Sequence, residues 1–278
     1  MSVPFVNQFA DHLKLVQGLA QTKNRMCAMV TDLLLLCLAG TAAGLLNAVA
    51  GGGTFLSLPA LIYVGVPPVA ANATATLSAL PGYMSSAWGF RGDMRAEGTL
   101  GLRAILCLAA LGSILGALLL IVTPGETFLW IVPWLLMLAT ALFAVGPKLL
   151  ILLRERGDGI VGPVLSGAAI LAVSIYGGYF NGGLGIMLLA TFGLLGHADL
   201  HGMNGLKNVM AAVLSFISAA AFVWADLIAW EQAAVMALGA MAGGYVGARL
   251  SRRIVRTDLL RRFITLVGAS MTVAFFVM

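Results

Sequence analysis

Ala50-Gly51-Gly52-Gly53-Thr54 interrupts an apolar run that begins near Thr31 and reaches Ile62, where a membrane helix is expected to be still winding. A second interruption, Tyr176-Gly177-Gly178-Tyr179-Phe180-Asn181-Gly182-Gly183-Leu184-Gly185, breaks another apolar run from about Val164 to Leu195. Gly51 and Gly52 thus recur as Gly182 and Gly183. Glycine lets the backbone leave the helix and face a ligand, but bare amides in hydrocarbon are tolerated only where protein or a watery cavity satisfies them. Two such breaks point to a substrate pocket.

Composition places this pocket in a membrane. Of the 278 residues, 60% are hydrophobic and only 10% charged, and the mean hydropathy is +1.00. These values exclude a soluble globule and predict an all-α polytopic membrane protein. A span needs about 20 apolar residues. Candidate spans fall near 28–48, 70–89, 100–122, 128–147, 162–181, 203–223, 231–250 and 259–278. Residues 54–64 and 185–195, one after each glycine break, are long enough for only half a bilayer and read as the second arms of re-entrant hairpins. The net charge of +5 would suggest nucleic acid in a soluble protein, but here most basic residues lie between spans, where they set orientation; no nucleic-acid partner is expected. Cys27, Cys37 and Cys107 have no CxxC spacing and suggest neither a disulfide framework nor a zinc site.

The first 26 residues are too polar to span and read as an amphipathic segment on the membrane surface, with no cleavage expected. A first transmembrane repeat follows at 27–147, a charged cytoplasmic linker at 148–160, and a second repeat at 161–278. One displacement of 131 residues relates Gly51, Gly52, Gly65, Gly112 and Gly116 to Gly182, Gly183, Gly196, Gly243 and Gly247. Such duplication is characteristic of secondary transporters, whose sites lie between halves at broken helices, although channels are duplicated too. If each broken run is a re-entrant hairpin followed by three spans, the repeats are inverted. The basic loops Arg91–Arg103, Lys148–Arg156 and Arg249–Arg262 then all face the cytoplasm, while Lys14, Lys23 and Arg25 lie outside. Trp88, Trp130, Trp134, Trp224 and Trp230 suit interfacial anchors. Gly40/Gly44, Gly112/Gly116 and Gly243/Gly247 suit close helix packing.

The sharpest polar cluster is His201-Gly-Met-Asn204-Gly-Leu-Lys207-Asn208, in which Asn204, Lys207 and Asn208 share one helical face. A lysine in a span costs about 2.5–3.5 kcal/mol on insertion scales and usually faces a cavity or a partner. Lys207 is read either as a cation for an anionic ligand or as a side chain one turn inside the membrane that snorkels to the headgroups. Asn72 and Thr76 occupy nearly the corresponding place in the first half. Hairpin-tip amides at Gly51, Gly52, Gly53, Gly182 and Gly183, with Asn47, Thr54 and Asn181, complete the candidate substrate contacts; close packing of the tips is the other reading.

His197, Asp199 and His201 lack a fourth metal ligand and resemble a capped helix start, so no metal or other cofactor is expected. Asp32 reads as a helix cap at the interface or a proton-coupling group. No HExxH, paired intramembrane aspartates, Ser/His partnership within spans or Walker lysine motif is present, so the chain does not read as an enzyme.

The motifs Asn47-Ala-Val-Ala-Gly-Gly-Gly53, Ala71-Asn-Ala-Thr-Ala-Thr76, Gly177-Gly-Tyr-Phe-Asn-Gly-Gly-Leu-Gly185 and Asn204-Gly-Leu-Lys-Asn208, in this order, resemble the sulfite exporter TauE/SafE family over about residues 30–275. The resemblance implies a multi-pass secondary carrier of sulfite, sulfoacetate or a related sulfonate or carboxylate across the cytoplasmic (inner) membrane. The expected partners are the small anion, the lipid bilayer and, in a dimeric form, a second copy. Proton coupling is part of this expectation. An anion channel or membrane scaffold is the rival reading, and a cation carrier, for which only Asp32 offers an obvious carboxylate, is a further one.

Overall fold

The computed structural model describes residues 26, 29–49, 51–92, 100–155, 162–195, 200–251 and 257–277. Its helices are α1 (Met29–Val49), α2 (Thr54–Tyr63), α3 (Pro68–Gly89), α4 (Leu102–Val122), α5 (Gly125–Glu155), α6 (Pro163–Tyr179), α7 (Leu184–Leu194), α8 (Leu200–Trp224), α9 (Trp230–Ser251) and α10 (Thr257–Val277). No strand occurs among the described residues. The chain divides into two compact units, Met1–Leu35 and Leu36–Met278. In the first, the described residues are helical and exposed or half-buried; they include Asp32 in the opening turns of α1. All that follows concerns the second unit.

Among the described residues, five helices or helical segments are long and apolar enough to cross a bilayer: Met29–Val49, Leu102–Val122, Gly125–Leu142, Gly202–Trp224 and Trp230–Ser251. The chain is a multi-pass membrane protein. Proline sets two helix starts, with Pro68 and Pro163 in the first turns of α3 and α6, where a missing N–H costs nothing. Helix α5 runs to Glu155, into the stretch expected to be a linker. The sequence there, Lys148-Leu-Leu-Ile-Leu-Leu-Arg-Glu155, is made largely of helix formers, and its few charges do not end a helix. The N-terminal segment, most of the first basic loop and residues 196–199 lie outside the described residues.

Both glycine runs break the helix and turn the chain back. A Cβ on Gly53 would strike the Ala43 carbonyl, whereas a straight helix would carry residue 53 about 15 Å beyond residue 43. Helix α7 likewise packs against α6, and a Cβ on Gly177 would lie 2.7 Å from Leu184 Cδ1.

Three helix pairings recur when α1–α5 are exchanged for α6–α10. Helix α3 packs on α9 as α8 packs on α4; α9 lies on α1 as α4 lies on α6; α5 meets α7 as α10 meets α2. Small residues make these approaches close, as van der Waals packing between membrane helices requires. A Cβ on Gly44 would collide with Ala240, on Gly243 with Thr41, and on Gly116 with Ile175 and Tyr179. Direction follows from the order of contacts. Ser85 Oγ donates to the Met241 carbonyl at 2.9 Å and Ser86 Oγ to that of Gly244 at 3.1 Å, while Ser78 Oγ reaches Ala233 at 3.3 Å. Residue numbers rise together, so α3 is parallel to α9. Gly40 opposite Met236 and Gly44 opposite Ala240 make α1 parallel to α9 as well, and Gly112 and Gly116 make α4 parallel to α6. Outward, Trp88, Trp130, Trp134, Trp224 and Trp230 are all exposed.

Candidate functional site

The two turns meet. No methyl group would fit on Gly51 or on Gly185, because each is filled by the other's backbone. Gly51 has φ +84° and its N–H donates to the Leu46 carbonyl at 2.8 Å, a glycine-closed helix end that any Cβ would strain. Asn47 Oδ1 accepts the Gly53 N–H at 2.7 Å. Asn47 is therefore an internal strut of the first tip. In the second tip Asn181 (φ +56°) and Gly183 (φ +71°) take left-handed conformations, which asparagine and glycine tolerate best. Tyr176 donates its hydroxyl to the Gly182 carbonyl at 2.5 Å. Thr54 Oγ1 bridges the tips, reaching the Asn181 carbonyl at 3.5 Å.

Each tip is also capped from the other half. Lys207, on α8 and 0% exposed, donates to the Asn47 and Ala48 carbonyls at the end of α1, at 3.1 and 3.2 Å, and to Asn204 Oδ1 at 2.9 Å. Those three acceptors match the three N–H bonds of an ammonium. Cationic hydrogen bonds to a helix C-terminus are favoured by its dipole. Complete burial rules out the snorkelling reading. Asn72, on α3 and equally buried, donates through Nδ2 to the Tyr179 carbonyl at the end of α6, at 2.8 Å. Ala48 and Tyr179 are related by the displacement of 131 residues that relates the glycines. Equivalent carbonyls are thus capped by a cation in one tip and by a neutral amide in the other. No carboxylate among the described residues pairs with Lys207, so the buried positive charge is met by dipoles alone.

The remaining polar residues divide between structure and site. Thr76 Oγ1 bonds the Asn72 carbonyl in its own helix at 2.9 Å. Asn208 does the same through Nδ2 to the Asn204 carbonyl at 2.9 Å. Asn181 gathers two side chains that the sequence reading did not single out: Tyr83 donates to its Oδ1 at 3.4 Å, and its Nδ2 reaches Ser215 Oγ at 3.2 Å. A polar residue in the middle of each of two spans was the signal available for them. Helices α2 and α7 begin behind Gly53 and Gly183, and most of their first-turn amides are already bonded: those of Phe55, Leu56 and Ser57 to the Gly52 and Gly53 carbonyls, and those of Leu184, Ile186 and Met187 to the Asn181 and Gly183 carbonyls. Four buried polar atoms have no partner among the described residues: Asn72 Oδ1, Asn208 Oδ1, Tyr179 Oη and Thr140 Oγ1. Two of these are the far ends of amides on the helices that cap the tips.

Asn47, Gly53, Thr54, Asn181, Asn204 and Lys207 are thus linked through hydrogen bonds around the meeting tips and Asn72 reaches the second tip at Tyr179, while the bonds of Thr76 and Asn208 stay within their own helices. Among the described residues no three His, Cys, Asp or Glu side chains converge as a metal set; His197 and Asp199 lie outside those residues, as does the side chain of His201.

Comparison with known proteins gives a consistent assignment. The family model described as "Sulfite exporter TauE/SafE" matches residues 36–275. A "Probable membrane transporter protein" of Haemophilus influenzae is 32% identical over 238 residues, covering 84% of this chain and 90% of that protein. The "Probable membrane transporter protein ORF9" of a Sinorhizobium species is 28% identical over 214 residues, 74% of this chain and 78% of its own length. The "Probable membrane transporter protein YfcA" of Escherichia coli is 27% identical over 250 residues, 88% of this chain and 90% of its own. No solved structure matches the chain.

Proposed function

The chain belongs to the sulfite exporter TauE/SafE family of membrane transporters, and from that premise we propose a secondary carrier of a small sulfur-containing anion. The substrate class is sulfite, sulfoacetate or a related sulfonate or carboxylate, moved across the cytoplasmic membrane with proton coupling. The observation that carries this reading is Lys207, a fully buried cation held by carbonyl dipoles at the meeting of the two tips. A buried charge is costly unless paired. An anion arriving between the tips would supply the missing partner, taking Lys207 from the α1 carbonyls, with the positive dipole ends of α2 and α7 adding to its attraction.

Release of Lys207 from Asn47 and Ala48 would uncap the first tip, which gives binding a direct mechanical consequence. Asn72 and Asn208 each leave a buried carbonyl oxygen without a donor. A substrate carrying an O–H or N–H, such as hydrogensulfite or an amino sulfonate, would fit those oxygens better than a pure acceptor. The inverted arrangement of the repeats belongs to the same proposal. It is supported by the exchange of helix pairings between halves and by the parallel runs of α1 with α9 and α4 with α6: with α8–α9 and α3–α4 as consecutive crossings, α1 and α6 point opposite ways. Alternating access would then rock one set of elements against the other around the tips.

The test is flux in proteoliposomes. Sulfite, sulfoacetate, taurine and acetate are supplied with and without an imposed pH gradient. Saturable uptake of one sulfur oxyanion, abolished when the gradient collapses, is expected. Flux that neither saturates nor follows the gradient would favour a channel, and flux of none of the four would overturn the substrate class.

A further inference from the structure

A second feature lies away from the tips, on the outward seam between α3 and α9. These helices approach so closely, through Gly82 against Ala240 and Gly244 against Gly82, that no large side chain fills the line between them. A groove of about 640 Å³ results, walled by Met84 and Trp88 on α3 and Met241 and Tyr245 on α9. Its polar floor is satisfied internally: Ser85 Oγ bonds the Gly82 and Met241 carbonyls at 3.0 and 2.9 Å. At the helix ends a second cavity, of about 730 Å³ and sharing Tyr245 with the groove, is lined by Arg91 and Arg249. Each arginine is exposed yet held over an aromatic ring. Arg91 lies 4.3 Å from the centroid of Trp88 and donates to its carbonyl at 3.1 Å, and Arg249 lies 4.8 Å from Tyr245.

We propose that this seam is a binding site for one anionic phospholipid, its phosphodiester between Arg91 and Arg249 and an acyl chain along the groove. Length supports this occupant. From Pro81 to its end at Gly89 the α3 helix advances about 12 Å, close to the ~15 Å half of a hydrocarbon core that makes one leaflet. Charge complementarity supports it too, because two guanidiniums at the headgroup level suit a phosphodiester. A second copy of the chain is disfavoured as occupant. A two-fold axis along the seam would bring both arginines of each copy against those of the other. The site does not depend on the transport reading.

The experiment is native mass spectrometry of the purified full-length protein. Phosphatidylglycerol or phosphatidylcholine of identical acyl chains is added, with glycerol phosphate as a headgroup-only control. One phosphatidylglycerol should be retained per chain in preference to phosphatidylcholine. Retention should fall at least about tenfold in the Arg91→Gln, Arg249→Gln double variant, as loss of two charge-assisted contacts implies, and also in Met84→Trp, which fills the groove and keeps both charges. Equal retention of the two lipids, full retention by the double variant, equal binding of glycerol phosphate alone, or a dimer cross-linked through Met84→Cys across the seam would each overturn the proposal. Thermal denaturation of the variants in detergent checks that they fold.

Discussion

The two hairpin tips are related by sequence and meet at Gly51 and Gly185, yet they are finished differently. The first ends on glycines, braced by Asn47, and its terminal carbonyls are held by the Lys207 ammonium. The second ends on Asn181, tied to Tyr83 and Ser215, and its terminal carbonyl is held by the Asn72 amide. The second tip is therefore fastened by neutral hydrogen bonds, with Asn72 Oδ1 and Tyr179 Oη left without a partner among the described residues. The first is fastened by a charge that has no opposite charge among the described residues. Two tips of matching sequence are thus finished by different cap chemistry, a lysine on one and a neutral amide on the other. Under this account the first tip is the one that responds to substrate and the second is the fixed wall.

The largest expected effect breaks the charged cap. Lys207→Met keeps bulk but leaves two buried carbonyls at the end of α1 without a donor. With Asn204 Oδ1, which loses the same donor, three orphaned acceptors at about 1–3 kcal/mol each total about 3–9 kcal/mol, and relief of the buried charge brings the net loss to about 4 kcal/mol. Thermal denaturation in detergent should show it, and flux should vanish. Gly51→Ala comes next, at about 3 kcal/mol, combining left-handed backbone strain with overpacking against Gly185. It should separate the tips and abolish flux at temperatures where the protein remains folded. Asn72→Ala removes the neutral cap and its own orphaned oxygen together, so about 1–2 kcal/mol is expected. If it instead equals Lys207→Met, the contrast between the tips is wrong. Gly65→Ala is the smallest. Gly65 shares the positive φ but a Cβ there would meet nothing within 4 Å, so only backbone strain of about 1 kcal/mol remains, with flux intact. Comparing it with Gly51→Ala isolates the cost of tip contact.

Much of this architecture was legible in the residues. The helix breaks at the glycine runs were legible because glycine acts locally, and the prolines at the starts of α3 and α6 mark those limits by the same local physics. The close seams at Gly112/Gly116 and Gly243/Gly247 followed from small-residue spacing. Helix α5 was read short because Lys148, Arg154 and Glu155 signalled a linker, although such charges are compatible with helix. The site was legible in its membership more than in its wiring. Lys207 stood out as a charge in a span, but its partners lie 160 and 159 residues away in the other half, a pairing that no local pattern encodes. Asn47 was read as a ligand contact, whereas its Oδ1 is spent on Gly53 inside the same turn. Thr76 likewise bonds its own helix, as threonines in membrane helices often do.

The most direct test of the central claim is the shift in melting temperature caused by sulfite, sulfoacetate, thiosulfate, taurine and acetate on wild type and on Lys207→Gln. Glutamine can still donate to the α1 carbonyls, so the variant should fold, but it carries no charge. A ligand that binds only the folded state stabilises it by about 2.7 kcal/mol at a hundred times its Kd. The account predicts stabilisation of the wild type by one sulfur oxyanion, absent in folded Lys207→Gln. An equal response in both proteins, or none in the wild type, would contradict it.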